Sequence, residues 1–126
     1  MRKIVFSLVI IAICSIQANA QAFQWASQIS SSSSSSYGSV TGIEITCDNN
    51  SNVITGGHFQ DSIDLDPGIG AQMRYSDYAT FVTVQDSTGA FAWGGAFDGP
   101  SNIIKAMDVD DQSNIIVCGH FTDSID

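Results

Sequence analysis

Basic residues are scarce in this 126-residue chain: four Lys and Arg stand against 13 Asp and Glu, for a formal net charge of −9. Two of the four, Arg2 and Lys3, lie at the N-terminus. Without residues 1–20 only Arg74 and Lys105 remain, and the net charge falls to about −11. A surface of that sign repels phosphate backbones and anionic headgroups, which argues against nucleic acid and acidic membranes as partners. Charge of either sign is itself sparse, at 13%, while the apolar fraction is 44%, so the chain is no acidic disordered tail. Coiled-coil heptads are absent. After residue 21 there is neither a second long apolar run nor a helical period. Catalytic signatures are missing too. There is no Gly-x-Ser-x-Gly elbow, no His-Glu-x-x-His, and no glycine-rich phosphate loop ahead of a helix. Serine is abundant, yet no Ser-His-acid set is marked by spacing.

Residues 1–20 read MRKIVFSLVIIAICSIQANA. A basic start, an apolar stretch from Ile4 to Ile16 and small residues at Ala18 and Ala20 form the three-part pattern of a secretory signal peptide, with cleavage expected after Ala20. The alternative is an uncleaved anchor, for which the apolar stretch is short. Ile13 argues against lipid attachment at Cys14, because a small residue is wanted there. The remaining chain, 21–126, is therefore expected to be exported, to the medium or the cell surface, with no further membrane insertion. Cys47 and Cys118 stay with it. Export permits a disulfide, but each lies in an apolar strand-like run, and both are expected to be reduced and mostly buried.

What the chain does have is an internal repeat. Residues 44–64, EITCDNNSNVITGGHFQDSID, recur at 106–126 as AMDVDDQSNIIVCGHFTDSID, without a gap and at an offset of 62. Ser51-Asn52 matches Ser113-Asn114, Gly57-His58-Phe59 matches Gly119-His120-Phe121, and Asp61 to Asp64 matches Asp123 to Asp126. By this period Cys118 falls on position 56 and not on 47, so symmetry gives the two thiols no reason to meet. Trp25 and Trp93 are 68 apart; the excess falls at the seven serines Ser30 to Ser36, expected to form an irregular inserted loop. The first unit runs over about 25–92. The second, 93–126, stops where the first continues into Leu65-Asp66-Pro67-Gly68, and the chain is read as the start of a longer protein.

The local pattern is all-β. Val40–Cys47 and Asn52–Phe59 flank the turn 48–51. Ala79–Val84 alternates, with Thr80, Thr83 and Gln85 as its polar members, and is joined through the turn 86–89 to Phe91–Phe97. Ile103–Val109, the turn 110–113 and Asn114–Phe121 repeat the first hairpin. Four short antiparallel strands per unit, in tandem, with a tryptophan in each, are the mark of propeller blades. About one and a half repeats are present, an incomplete ring. A blade buries both faces only between neighbours, so further blades of the same longer chain are expected partners.

The residues resemble the SBBP beta-propeller repeats of secreted bacterial proteins, whose typical run is A-I-A-V-D-x-x-G-N-V-Y-V-T-G-x-F. Glu44–Asp48 with Asn52–Phe59, and Ala106–Asp110 with Asn114–Phe121, carry the match. The extension Ile63–Gly68 and the closing hairpin Phe81–Trp93 are similar to the long form of that repeat, and the likeness covers nearly all of residues 23–126. Ser51 and Ser113 depart from the usual turn glycine, and the serine tract is extra. The resemblance implies a propeller and leaves the activity open, since propellers host many functions.

Candidate site residues are few. His58 and His120 occupy equivalent places and would bind metal only if that position faced a common channel. Asp61, Asp64 and Asp66, around the loop before Pro67-Gly68, are the calcium candidates, although a full calcium loop with its terminal Glu is missing. Asp48, Asp110 and Asp111 start turns, which is ordinary turn chemistry. Trp25, Trp93, Tyr75, Tyr78 and the phenylalanines offer a sugar-binding surface or, as aromatics at one place per blade, core. No cofactor is expected, and calcium is the one candidate. The sequence thus points to an exported scaffold or binding module without catalysis, with an unidentified protein or polysaccharide as ligand. The alternative is the N-terminal part of an exported propeller enzyme, a hydrolase or lyase on polysaccharide, with its active site outside this chain.

Overall fold

The computed structural model describes residues 22–31, 38–99 and 101–122. The signal-like segment, most of the serine tract (32–36) and residues 123–126 lie outside them. Among the described residues there are six strands and no helix: β1 (Ser39–Cys47), β2 (Val53–Asp64), β3 (Met73–Gln85), β4 (Phe91–Asp98), β5 (Ile103–Val109) and β6 (Ile115–His120). All pairings are antiparallel. β1 to β4 form one meandering sheet in chain order, and β5 pairs with β6 as a separate two-stranded sheet.

The 62-residue period is written into the backbone. In the first hairpin Cys47 pairs with Val53 and Gly42 with Gly57, with a bulge between Gly42 and Glu44. In the second, Val109 pairs with Ile115 and Ile104 with Gly119, with the bulge between Ile104 and Ala106. Each of these positions is its counterpart plus 62. The glycine that follows each bulge is required sterically. A Cβ on Gly57 would run into the carbonyl oxygen of Thr41, and one on Gly119 into that of Ile103, the same position of the repeat. Glycine in a strand interior commonly marks such a close backbone approach.

The turns 48–51, 86–89 and 110–113 form where the sequence places them, and all three share one design. Oδ1 of the leading aspartate accepts from the backbone N–H groups two and four residues on: Asp48 from Asn50 and Asn52, Asp86 from Thr88 and Ala90, Asp110 from Gln112 and Asn114. The fourth residue is left-handed in each, Ser51 at φ 64°, Gly89 at 87° and Ser113 at 63°. An Asx side chain that satisfies the turn N–H groups stabilises this conformation, even with serine in the left-handed position.

β2 and β3 are longer than the sequence pattern indicated, at 12 and 13 residues. Asp61 and Asp64 therefore belong to β2 and not to the following loop. Asp61, at φ 75°, sits at a second bulge between Phe59 and Asp61. β3 also departs from simple alternation: Ala79 to Thr83 are all buried, and so is Gln85. The cause is that both faces of the sheet are covered there. On the back face Phe59, Ile63, Leu65, Ala79 and Phe81 form a cluster closed by Ile29, Val40, Phe91 and Ala96. On the front face Ile54 and Val82 pack with Ile104 of β5, together with Val84, Met107, Val109 and Ile115. A fully buried Phe or Ile contributes roughly 1.5–3 kcal/mol, so these two small clusters hold most of the apolar stabilisation. The buried polar side chains of β3 are satisfied at Thr83 and Gln85. Thr83 Oγ1 donates to the Leu65 carbonyl at 3.0 Å, and Gln85 Nε2 donates to Ser27 Oγ and the Gly89 carbonyl at 2.9 and 3.0 Å.

Residues 22–31 run as an arm over the back face. Trp25 lies on Gly89 and donates Nε1–H to the Ser87 carbonyl at 3.2 Å, and Ser30 bridges to Asp64. The second tryptophan is not core: Trp93 is 49% exposed on β4. The thiols also differ from expectation. Cys47 and Cys118 are free, but both are exposed. Cys47 lies on the back of edge strand β1 and Cys118 on the front of β6, and neither surface is covered.

Candidate functional site

A concavity lies between the end of β4 and the second hairpin. It has a volume of about 200 Å³ and is lined by Thr80, Phe97, Asn102, Val117, His120 and Phe121, among others. Phe97 and Phe121 reach it because each sits at an element end with one face open, and Phe121 is 51% exposed. Asn102 is its buried polar member. It donates Nδ2–H to the Phe97 carbonyl at 3.2 Å, while its Oδ1 has no hydrogen-bond partner among the described residues. A buried, unmatched acceptor costs free energy, and a donor brought in from outside would recover it. One period earlier this position is Val40, which packs in the back-face cluster. That apolar-to-polar change between the repeats is the signal by which the sequence could have marked Asn102, and composition and spacing rules do not read it.

The period also explains the concavity. Phe121 corresponds to Phe59, Gly119 to Gly57 and Asn102 to Val40, so the concavity is the second unit's counterpart of the back-face cluster. In the first unit the far ends of β2 and β3, with Ile63, Leu65, Ala79 and Phe81, fill that space.

The two histidines have unlike surroundings. His58 stacks on Tyr78 at 5.4 Å between ring centroids, with its Nδ1 buried and unpartnered among the described residues. His120 is exposed and lines the concavity. Among the described residues no three His, Cys, Asp or Glu side chains come together in a group able to hold a metal ion. Of the calcium candidates, Asp64 uses Oδ1 to accept the N–H groups of Asp66 and Gln72 at 3.0 and 2.8 Å, which closes the loop between β2 and β3. Asp66 Oδ1 accepts from Gly68 N–H at 2.7 Å, and its other oxygen stands where a Cβ on Gly70 would be. Asp61 stands at the β2 bulge.

The shifted carboxylates are in the turns. Asp86 is held below the usual aspartate range by the Thr88 hydroxyl and by the N–H groups of Thr88 and Ala90, which outweigh its partial desolvation. Asp110 is lowered by the side chain and N–H of Asn114 and by the N–H of Gln112. At Asp48 desolvation is the largest single influence and acts upward, but the bonds from Asn52 and Asn50 together exceed it. These are structural carboxylates: their oxygens are engaged in holding the turns.

The concavity thus combines an apolar wall with one unmatched acceptor on Asn102, the hydroxyl of Thr80 and the imidazole of His120. Among the described residues no helix is long and apolar enough to cross a membrane. Comparison with protein families, curated proteins and solved structures returned no match.

Proposed function

We propose that the chain is an exported segment of a beta-propeller of the SBBP type, acting as a scaffold or binding module and not as a catalyst. The observation that carries this reading is the joint between the two units. The same hairpin, with the same bulge, glycine and aspartate turn, occurs twice at an offset of 62, and the front of the first packs on the back of the second. Blades of a propeller stack in this way, each supplying one face to the next. On this reading the concavity beside Asn102 receives the continuation of the second blade itself, the counterparts of the far ends of β2 and β3, in a longer chain. The ligand, a protein or a polysaccharide, binds on the surface of the assembled stack.

The test is retention against turnover. The purified chain is passed over insoluble xylan, chitin and cellulose, and the released reducing ends are measured in parallel. Retention without release of sugar is the expected result. Release of sugar would replace the binding module by a polysaccharide-cleaving enzyme.

A further inference from the structure

The joint between the two units has two sides, and each side occurs once more in the chain, exposed among the described residues. On the front of the first unit, Ile54 and Gly56 receive Ile104, Met107, Val109 and Ile115 from the back of the second. Carried forward by 62, that front becomes Ile116 and Cys118 on β6. Carried back by 62, the receiving side becomes Ile45, Cys47 and Val53 on β1 and β2. Both counterparts are open: Ile116 is 54% and Ile45 69% exposed, and both thiols are exposed. The N-terminal arm crosses the same face beside the second of them, where Ser27 bonds to Gln85, the partner of Val53 in the sheet, but it stops short of edge strand β1 and leaves Ile45 and Cys47 exposed.

The geometry points to head-to-tail self-association, with the Ile116–Cys118 front of one copy seated on the Ile45–Cys47 back of a second copy. The joint inside the chain supplies the argument for this occupant, since it already pairs the same two kinds of surface. Two different but complementary patches at opposite ends give a heterologous contact and not a two-fold one. Side-chain volumes are exchanged across it. Gly56 has no side chain and takes the long Met107, whose sulfur lies 2.6 Å from where a Cβ would stand. At the open joint the glycine is replaced by Cys118, and the methionine by the shorter, branched Ile45.

The contact between chains is weaker than the one within. Val82 and Val84 on β3, which enlarge the internal joint, have no counterpart on the second unit among the described residues. Asp111 also lacks the side-chain donor that Asn49 uses across the internal joint. The net charge of −9 opposes contact between copies, so association strengthens as salt rises.

This inference uses the blade stacking proposed above and extends it to contact between chains. Sedimentation velocity over a range of concentrations at moderate salt tests it with the chain and with two surface variants, Ile116→Asp and Ile45→Asp. The chain alone is expected to gain mass with concentration. Each variant is expected to stay monomeric, having lost one end of the joint. An equimolar mixture of the two variants is expected to form species of two chains and no larger, because one intact front remains for one intact back. A chain that is monomeric throughout overturns the inference, as does a variant that associates like the parent or a mixture that stays monomeric. Loss with Ile116→Asp alone would mean a two-fold contact and overturns it equally. Circular dichroism checks the fold of both variants, and Ile116→Thr and Ile45→Thr, which keep a strand-forming residue, serve if the charged forms unfold. NMR contacts from Met107 to Ile54 report the internal joint separately. If they persist without self-association, the inference fails and the blade reading stands; if they are absent, the blade reading itself fails.

Discussion

Asn49 donates its side-chain amide to the backbone carbonyl of Asp111, 3.3 Å away and 62 residues along the chain. A residue thus bonds to its own counterpart in the next repeat, which places the two Asp-led turns side by side and pointing the same way. Units related in this manner are stepped one after another and are not mirrored across a two-fold axis. β1 against β5 repeats that relationship at the level of strands, since β5 is β1 shifted by the same 62.

The repeated glycines offer a direct check. Gly57→Ala puts a methyl group against the Thr41 carbonyl oxygen, and Gly119→Ala puts one against that of Ile103. Neither obstacle is a flexible side chain, so the backbone must move. Overpacking of this kind costs about 1–3 kcal/mol. Urea unfolding of Gly57→Ala should show a lower midpoint by that amount. Gly119→Ala should loosen β5–β6 more than the main sheet, seen as faster amide exchange confined to residues 103–120. Equal and negligible effects from both would mean that the shared bulge is not the reason for the shared glycine.

Much of this architecture is legible in the sequence because it is local. An aspartate with Ser or Gly three residues on specifies each turn, and β-branched runs on either side specify the strands. The 62-residue period is visible in the order of the residues alone. The far ends of β2 and β3 were not legible, since Gln60 to Asp64 and Met73 to Tyr78 mix polar, aromatic and apolar residues without clean alternation. The burial of Thr80, Thr83 and Gln85 was hidden for a related reason. Period-two reasoning assumes one wet face, whereas here the arm and the second hairpin cover opposite faces of the same strand. The exposure of the thiols was hidden too, because an apolar run shows that a strand has a dry side but not which of its ends is covered. Of the concavity, His120 stands out by its residue type; Asn102 does not, because its unmatched oxygen depends on packing.

Serine at the left-handed turn position is a correctable strain. Ser51 and Ser113 adopt φ near +64° and +63°, where a Cβ is unfavourable and glycine is not. Ser51→Gly should raise stability by roughly 0.5–1 kcal/mol, after allowing for the greater freedom of glycine in the unfolded chain. The double change with Ser113→Gly should depart from additivity to the extent that the Asn49–Asp111 bond couples the two turns. Thermal unfolding midpoints measure it, and a fall in either variant would contradict the strain argument.

Thr83 and Leu65 form one unit of the back-face core. Thr83 is fully buried and its hydroxyl donates to the Leu65 carbonyl, while Leu65, also fully buried, packs close to Gly94. Thr83→Val keeps the shape and removes the donor, leaving a carbonyl unsatisfied at a cost of about 1–3 kcal/mol. Leu65→Ala leaves a void and should cost about 2–5 kcal/mol. Because the two residues touch, the double variant should lose less than the sum. A strictly additive double-mutant cycle would show that the loop after β2 is not held by this bond.

The turn carboxylates fix the sign of the acid response. Asp48, Asp86 and Asp110 all lie below the usual aspartate range in the folded chain. A group whose folded value is depressed contributes stability that is fully present above its unfolded value, and that contribution is lost as pH falls through the folded value. The turns should therefore hold unchanged at neutral pH and weaken from the ordinary aspartate range downward. Relief of repulsion among the 13 acidic residues acts in the opposite direction over the same interval, so the parent chain alone cannot isolate the effect. Asp86→Asn can. Its amide oxygen still accepts from the N–H groups of Thr88 and Ala90, now without charge. Urea midpoints for parent and variant should differ most at neutral pH, with the parent more stable, and converge once the parent carboxyl is protonated. Asp48→Asn should behave worse at neutral pH, because its new amide group would face the Asn52 amide that now donates to Asp48 Oδ2. A gap between parent and Asp86→Asn that stays constant from neutral pH down to strong acid would show that the carboxylate charge contributes nothing to the turn.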